Sequence, residues 1–228
     1  MSFSQMVCLV ASWLAAAAGP ALAGPEFAPI AARYQEARGD GHAPPRSFEW
    51  YFSRNGNQIE IGRGAYIELW ERDERGDVSW LRIFHDDRKL ISYTPGELSA
   101  QSRALPWQTL NTLFGAKVLL GKLSRVGETK YLNRPATRYT GKVGNKEIEV
   151  VWLDAEQLPG RIVHRDQMHT YYQLALQELR PAPASGWPRS DLARSQSYEF
   201  ISGADLGDRE YDPFVKKVLA MDGHSHAH

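Results

Sequence analysis

The stretch ETKYLNRPATRYTGKVGNKEIEVVWLDAEQLPGRIV, residues 128–163, decides the fold. It predicts three antiparallel strands, over residues 136–143, 146–153 and 161–164. Gly144-Asn145 separates the first two strands, and both residues tolerate the positive φ that a two-residue hairpin requires. The pattern therefore predicts an antiparallel sheet that is built from hairpins.

The strand over residues 146–153 alternates between two kinds of side chain. Ile148, Val150 and Trp152 share one face, because successive side chains of a strand point to opposite sides. Glu147 and Glu149 point the other way. We therefore expect a sheet with one packed face and one face in water.

Strand patterns also precede this stretch. Asn55-Gly56, a strong hairpin signal, separates a strand over residues 47–54 from one over residues 57–63. Three more strand patterns follow in quick succession, over residues 65–72, 78–85 and 89–94. This succession predicts a meander of sequential antiparallel strands.

The alternation ends at Thr94-Pro95-Gly96. Pro106-Trp107 then favours a short helix with proline in its first turn. We expect this helical insertion, about residues 95–120, to cover one face of the sheet. Strand patterns resume over residues 122–126 and end with a hairpin over residues 164–179. Within that hairpin, residues 173–179 (QLALQEL) also fit one or two helical turns. We expect a strand there because the neighbouring segments are predicted strands.

The N-terminal segment, residues 24–46, is flanked by proline and glycine. Ile30, Tyr34 and Ala37 lie in it at helical spacing. They predict one short helix over residues 27–37.

The C-terminal part, residues 181–228, combines a proline-rich segment with a helix. RPAPASGWPR, residues 180–189, contains too much proline for a central strand. Asp212-Pro213 predicts an N-cap followed by proline at the first helical position, which begins a helix over residues 213–221. Gly223 is suited to end that helix in the left-handed conformation, with a mobile tail beyond it.

Residues 1–23 predict a cleaved secretory signal peptide. They carry no charged side chain, contain an apolar run over residues 6–18 and end in Ala21-Leu22-Ala23, an A-x-A cleavage site. The alternative is an uncleaved membrane anchor, for which the run is short. The single cysteine, Cys8, lies in this leader. We therefore expect a mature protein without disulfides that is located in the periplasm.

The charges of the chain are balanced, with 27 Lys and Arg against 27 Asp and Glu. Such a balance argues against a nucleic-acid partner. No long apolar segment follows the leader, so we expect no transmembrane segment in the mature chain.

Four short motifs and the order of the predicted elements support a family resemblance. The motifs are Glu128-Thr129, Pro135-Ala136-Thr137-Arg138-Tyr139, Val151-Trp152-Leu153 and Leu158-Pro159-Gly160-Arg161-Ile162. Together they resemble the outer-membrane lipoprotein carrier superfamily (LolA/LolB-like), over roughly residues 47–179. The resemblance implies an α+β fold, mainly antiparallel β, in which residues 47–180 form an unclosed half-barrel. Helices cover its concave face around an apolar cavity, which in the carriers holds lipoprotein acyl chains.

Aromatic side chains are the candidate ligand-binding surface of this half-barrel. The candidates are Trp50, Trp70, Trp80 and Phe84 on strands and Trp107 on the helical insertion. A large exposed apolar face is unfavourable, so it must be covered or bind a ligand. The alternative is that these rings simply form the core under the helices.

The known motifs for catalysis and nucleotide binding are either absent from the sequence or incomplete. The chain contains no H-E-x-x-H and no G-x-S-x-G, and Gly62-Arg63-Gly64 lacks the third glycine of a dinucleotide motif. GAKVLLGK, residues 115–122, has one residue too many between its glycines for a phosphate loop. Leu123 also stands where that loop needs a hydroxyl for the metal. We therefore expect a non-enzymatic protein without a cofactor.

Histidines at the end of the chain form a weak candidate metal site, His224, His226 and His228. Neutral imidazole is a good ligand for zinc, copper or nickel, but a solvated tail is the alternative. His164 and His169 flank a turn, although two ligands rarely hold a metal ion.

These features predict a non-enzymatic periplasmic binding or carrier protein for a lipid-like or lipoprotein ligand. The first alternative is an envelope interaction or sensor module that binds a protein partner, with the half-barrel as a rigid platform. The second is a metal-binding periplasmic protein that uses its histidine tail.

Overall fold

The computed structural model describes residues 27–39, 45–113, 115–166 and 169–225. Within them, twelve strands form one sheet. The strands are β1 (Ile30–Arg38), β2 (Arg46–Asn55), β3 (Gln58–Arg63), β4 (Tyr66–Arg72), β5 (Val78–Phe84), β6 (Lys89–Tyr93), β7 (Ser124–Tyr131), β8 (Arg134–Val143), β9 (Lys146–Leu153), β10 (Leu158–Asp166), β11 (His169–Arg180) and β12 (Glu199–Ser202). The helices are α1 (Pro95–Ala100), α2 (Trp107–Asn111), α3 (Ala116–Leu120), α4 (Leu192–Ser195) and α5 (Pro213–Ser225), with a 3₁₀ helix over Gly203–Leu206.

The sheet is mainly antiparallel and unclosed. Its strand order is β12-β6-β5-β4-β3-β2-β1-β11-β10-β9-β8-β7, so β12 and β7 are its two edges. Only β12 and β6 are parallel among the paired strands of the described residues. The predicted fold class, a mainly antiparallel unclosed sheet with short helices, is confirmed.

Both hairpins predicted from two-residue turns are confirmed. Asn55 pairs with Gln58 around the first turn, and Val143 pairs with Lys146 around the second. Gly144 has a φ of 63°, which glycine adopts without strain. The last strands also form the expected hairpin, because β10 and β11 are antiparallel neighbours.

The prediction of a helix over residues 27–37 is wrong. The segment forms β1, which lies between β2 and β11 and pairs with both. Ala31, Ala32 and Tyr34 are buried. An isolated helix of this length is marginal in water, whereas a strand with two neighbours satisfies its backbone groups on both sides. β1 thereby joins the meander β2–β6 to the meander β7–β11.

The apolar core lies on one face of the sheet, here called the inner face. Phe52 lies opposite Ile61, and Trp70, Trp80 and Tyr93 lie opposite one another in turn. Directly opposed residues share a face, and all five side chains are buried. The helices add Leu98, Leu110, Phe214, Val215 and Val218 to the same cluster.

The C-terminal helix begins as predicted and ends later than predicted. The Asp212 carboxylate accepts a hydrogen bond from the backbone N–H of Phe214 at 2.8 Å. α5 continues through Gly223 to Ser225, so the expected end at Gly223 is wrong. Its last turns are held by Asp222, which forms ion pairs with Arg82 and Arg103 at 3.0 Å and 3.1 Å.

The proline-rich segment forms no strand, as predicted. Trp187 contacts Tyr51, with ring centroids 5.5 Å apart, and Ser190 donates backbone and side-chain hydrogen bonds to Glu60. Tyr51 and Glu60 alternate with the inner-face residues of β2 and β3. The segment therefore covers part of the opposite face of the sheet. Among the described helices, none is both long and apolar enough to cross a membrane.

Candidate ligand-binding cavity

A cavity of about 590 Å³ lies on the inner face of the sheet, between the strands and α3. Its strand walls come from β1, β2, β3, β8, β9, β10 and β11. Seven aliphatic side chains line it, Leu113, Ala116, Leu119, Val143, Ile148, Ile162 and Leu174. The cavity is partly open to solvent, and its size lies within the range of ligand-binding pockets.

The strand register explains the apolar floor of the cavity. Ile162 of β10 lies opposite Leu174 of β11, and alternate residues of both strands therefore face the same side. Val143 and Lys146, which flank the Gly144-Asn145 turn, also line the cavity. The hairpin that the sequence identifies most clearly is thus part of the cavity's rim.

Small residues in the covering segment leave the space open. Gly115 and Ala116 line the cavity where α2 gives way to α3. Gly115 has a φ of 76°, a conformation that other residues adopt only with strain, and it permits the sharp turn between the two helices. A larger side chain at position 116 would occupy the cavity.

Arg54 fixes this covering segment to the sheet. Its guanidinium donates hydrogen bonds to the carbonyl oxygens of Asn111 at 2.7 Å, Glu156 at 2.6 Å and Ala28 at 3.1 Å. Burial lowers the pKa of Arg54 to about 10, so the group stays protonated at neutral pH. Three carbonyls on three separate segments are thereby joined to β2.

Charged and polar side chains surround the apolar part. Glu36, Arg38, Arg63, Lys146 and His164 all line the cavity. The Arg38 Nε–H donates to the Glu36 carboxylate, and the Arg63 guanidinium lies over the Trp50 ring at 5.5 Å. The arrangement can therefore hold an apolar group in its interior and a polar group at its rim.

The ionisation of these groups is set by burial and by one another. Burial alone lowers the pKa of Arg63, but the Glu68 carboxylate, 3.8 Å away, helps to raise that pKa above its ordinary value. Arg63 therefore stays cationic. Burial raises the pKa of Tyr172 well above its usual range, and the charge of Glu36 raises it further. The Tyr172 phenol is therefore neutral at neutral pH.

Of the five predicted ligand-binding aromatics, only Trp50 is among the described residues that line this cavity. Trp70 and Trp80 stack with ring centroids 4.8 Å apart, and Trp80 stacks on Tyr93 at 4.6 Å. Phe84 meets Phe214 of α5 edge to face at 4.9 Å. The rings of these three predicted residues, Trp70, Trp80 and Phe84, therefore pack in the core, which is the alternative given above, and their role in ligand binding stays a prediction.

Trp107 is also placed differently from the expectation. It lies on α2, as predicted, but its ring is covered by the Arg72 guanidinium at 5.1 Å. It packs against the core cluster as a partly buried residue. Among the described residues of the helical insertion, the cavity is lined instead by Leu113, Gly115, Ala116 and Leu119.

The predicted metal ligands lie outside the described side chains. His224 belongs to the backbone of α5, while His226 and His228 lie beyond the described residues. The side chain of His169 is likewise not described, and His164 lines the cavity. Among the side chains that are described, none form a group of three or more potential metal ligands. The metal site therefore stays a prediction.

Sequence reasoning missed Glu36 and Arg38 because it assigned β1 to a helix. It missed Arg63 and Lys146 because both lie at the ends of strands. There the alternation of apolar and polar residues does not indicate on which face of the sheet a side chain lies. The signal that could have identified Lys146 is its position directly after Gly144-Asn145, at a hairpin that the sequence does predict.

No protein-family model matches the chain, and no curated protein matches it either. Among solved structures it is similar to PNGF-II, with 12% identity over 79% of this chain and 32% of that chain, at a TM-score of 0.44. It is also similar to the MucA/MucB complex of Pseudomonas aeruginosa, with 13% identity, 73% and 54% coverage and a TM-score of 0.38. A DUF1329 family protein from Desulfovibrio piger gives 11% identity, 72% and 88% coverage and a TM-score of 0.30.

These similarities are distant. The chain spans about a third of the length of PNGF-II and about half of the matched chain of the MucA/MucB complex. Because every TM-score is below 0.5, they support no inference about function. The expected relationship to the lipoprotein carriers stays a prediction.

Proposed function

We propose that this protein is a non-enzymatic binding or carrier protein that holds a lipid-like or lipoprotein hydrophobic ligand in the inner-face cavity. The observation that supports the proposal is the cavity itself, about 590 Å³ and lined largely by apolar side chains. Ligand pockets in proteins commonly measure about 300–1,000 Å³ and combine an apolar lining with a few polar groups. A chain of methylene groups would gain about 0.8 kcal/mol for each one that it buries there.

The proposed location in the periplasm depends on residues 1–23, which lie outside the described part of the chain. The alternative role as an interaction or sensor module also stays a prediction, because no contact among the described residues favours a particular protein partner.

Filling the cavity tests the proposal. Ala116→Phe places a ring into the cavity from α3, whereas Val118→Phe adds the same ring on a side chain that is 64% exposed on the same helix. A neutral naphthylamine dye whose fluorescence rises in apolar surroundings should bind the wild type and Val118→Phe. Ala116→Phe should lose the dye.

Leu119→Trp provides a second filling variant if Ala116→Phe does not fold, since Leu119 lines the cavity and is only partly buried. Circular dichroism melts establish that each variant is folded. If Ala116→Phe or Leu119→Trp folds and still binds the dye as well as the wild type does, the hydrophobic site lies elsewhere and the proposal is contradicted.

A further inference from the structure

The charged residues of the cavity lie at one end of it. Arg38 is the last residue of β1, Arg63 is the last residue of β3, and Lys146 is the first residue of β9. Because neighbouring strands from β3 through β2, β1, β11 and β10 to β9 are antiparallel, these three ends lie at the same end of the sheet. The register relates the first of these ends to the neighbouring strands, since Arg38 lies opposite Tyr172 and Tyr172 lies opposite His164.

The apolar lining begins one step further into the sheet. Leu174 follows Tyr172 by two residues, and Ile162 precedes His164 by two residues; the two lie opposite each other. Ala116 of α3 also lines this part of the cavity. The cavity therefore has an apolar interior and a charged mouth.

Positive charge predominates at this mouth. The lining contains three basic side chains, Arg38, Arg63 and Lys146, and one carboxylate, that of Glu36, to which Arg38 is ion-paired. Glu68, which lies 3.8 Å from Arg63, is a second carboxylate nearby. Guanidinium and ammonium groups at the edge of an apolar space favour carboxylate and phosphate oxygens through charge-assisted hydrogen bonds.

We infer that the ligand of this cavity is an amphiphile with an anionic head, a carboxylate or a phosphate, which Lys146, Arg38 and Arg63 hold at the mouth while its apolar chain lies along Ile162 and Leu174. The inference rests on the proposed function and specifies the chemistry of the ligand. It also gives the ligand an orientation, with the head at the Gly144-Asn145 turn and the chain under α3.

Three ligands with the same twelve-carbon chain test this inference: dodecanoate, dodecanol and dodecyltrimethylammonium. Each is titrated against the bound naphthylamine dye below its micelle concentration. Dodecanoate should displace the dye at a concentration about tenfold or more below that of dodecanol, since a hydrogen bond to a charged group is worth about one to two powers of ten in affinity. Dodecyltrimethylammonium should be the weakest.

Charge reversal at the mouth supplies the matched variants. Lys146→Glu should bring dodecanoate and dodecanol close to the same affinity. Lys142→Glu lies on the same hairpin but outside the cavity lining, and it should retain the preference for dodecanoate. Melting curves check that both variants fold as the wild type does.

The outcomes separate this inference from the proposed function. Equal displacement of the dye by all three ligands would overturn the anionic head and leave the hydrophobic site in place. A preference that survives Lys146→Glu unchanged would overturn the orientation with the head at Lys146. Failure of the wild type to bind the dye at all would overturn the proposed function itself.

Discussion

Two regions of the inner face differ in how their covering helix fills the space beneath it. In the packed region, defined by β4–β6 and α5, Phe214, Val215 and Val218 are buried against the sheet. In the cavity region, defined by the cavity walls and α3, the covering segment contributes Leu113, Gly115, Ala116 and Leu119 to the lining and leaves a space of about 590 Å³. The strands of both regions belong to one continuous sheet and one core.

The difference shows that an apolar strand face does not by itself define a binding site. Trp70, Trp80 and Tyr93 are aromatic and face inward, yet they stack on one another and become core. The aliphatic residues around Ile162 face inward in the same way, but the segment that covers them leaves a space open. The covering segment therefore decides which part of the face remains available to a ligand.

The ion pair that holds α5 on the packed region should give the largest effect. Arg82 is 1% exposed, lies between aromatic rings and contacts Asp222 at 3.0 Å. Asp222→Ala leaves that guanidinium buried with its carboxylate partner removed, which we expect to cost about 3–5 kcal/mol. The free energy of unfolding from urea titration measures the loss.

Lys217→Ala is the control for this variant on the same helix. Its ammonium meets Asp87 at 2.6 Å in an ion pair that solvent reaches, so its removal should cost less than about 1 kcal/mol. If Asp222→Ala costs no more than Lys217→Ala, α5 does not stabilise the buried Arg82 and the account of the packed region is wrong.

One substitution made in both regions compares their packing directly. Ile91 of β6 is completely buried in the packed region, whereas Ile162 of β10 is nearly buried but borders the cavity. Ile91→Ala should cost about 2–5 kcal/mol, as expected for a large-to-small change in a filled core. Ile162→Ala should cost less than Ile91→Ala by at least about 1 kcal/mol, because the Ile162 side chain has fewer contact partners on the cavity side. Equal losses in urea titrations would indicate that the cavity collapses in solution.

The smallest expected effect concerns the edge of the packed region, where Glu97 joins α1 to the end of β12. Its carboxylate accepts hydrogen bonds from the Ser202 hydroxyl, from the Thr94 backbone N–H at 2.6 Å and from the Ala204 N–H at 3.1 Å. These contacts, that of Ser202 first, lower the pKa of Glu97 from 4.5 to about 2. Since the folded-state pKa is the lower one, this stabilisation is complete above about pH 4.5 and is lost as the pH falls toward 2.

Glu97→Gln should therefore lower the free energy of unfolding from urea titration at pH 7, by less than about 1 kcal/mol for a capping contact at an exposed site. The difference from the wild type should shrink between pH 4.5 and the acid limit of the titration. Ser202→Ala removes the principal hydrogen bond and should reduce the same pH dependence. A difference that stays constant down to pH 3 would show that Glu97 acts through its shape rather than its charge.

The sequence predicts the strands best where the chain turns back within two residues. Gly144-Asn145 connects two antiparallel neighbours in the structure, and the turn predicted at Asn55-Gly56 does so one residue later, at Gly56-Asn57. The same local reasoning fails at β1, whose partners β2 and β11 include residues more than 130 positions away. It also fails to identify β12, a four-residue strand whose only neighbour in the described sheet is β6.

Sequence alone determined the alternation of strands, their connection into a meander and the inward orientation of the tryptophans, because hairpins and the two-residue period are local properties of the chain. It could not determine which inward-facing residues touch a ligand. That depends on which covering helix lies over each strand and how large its side chains are. Only the tertiary structure places Phe214 against Phe84 and brings Ala116 and Ile162 to the lining of one cavity, filling one part of the face and leaving the other part hollow. It also brings Arg38, Arg63 and Lys146 together from three separate strand ends, because antiparallel pairing over the whole sheet aligns ends that are distant in the sequence.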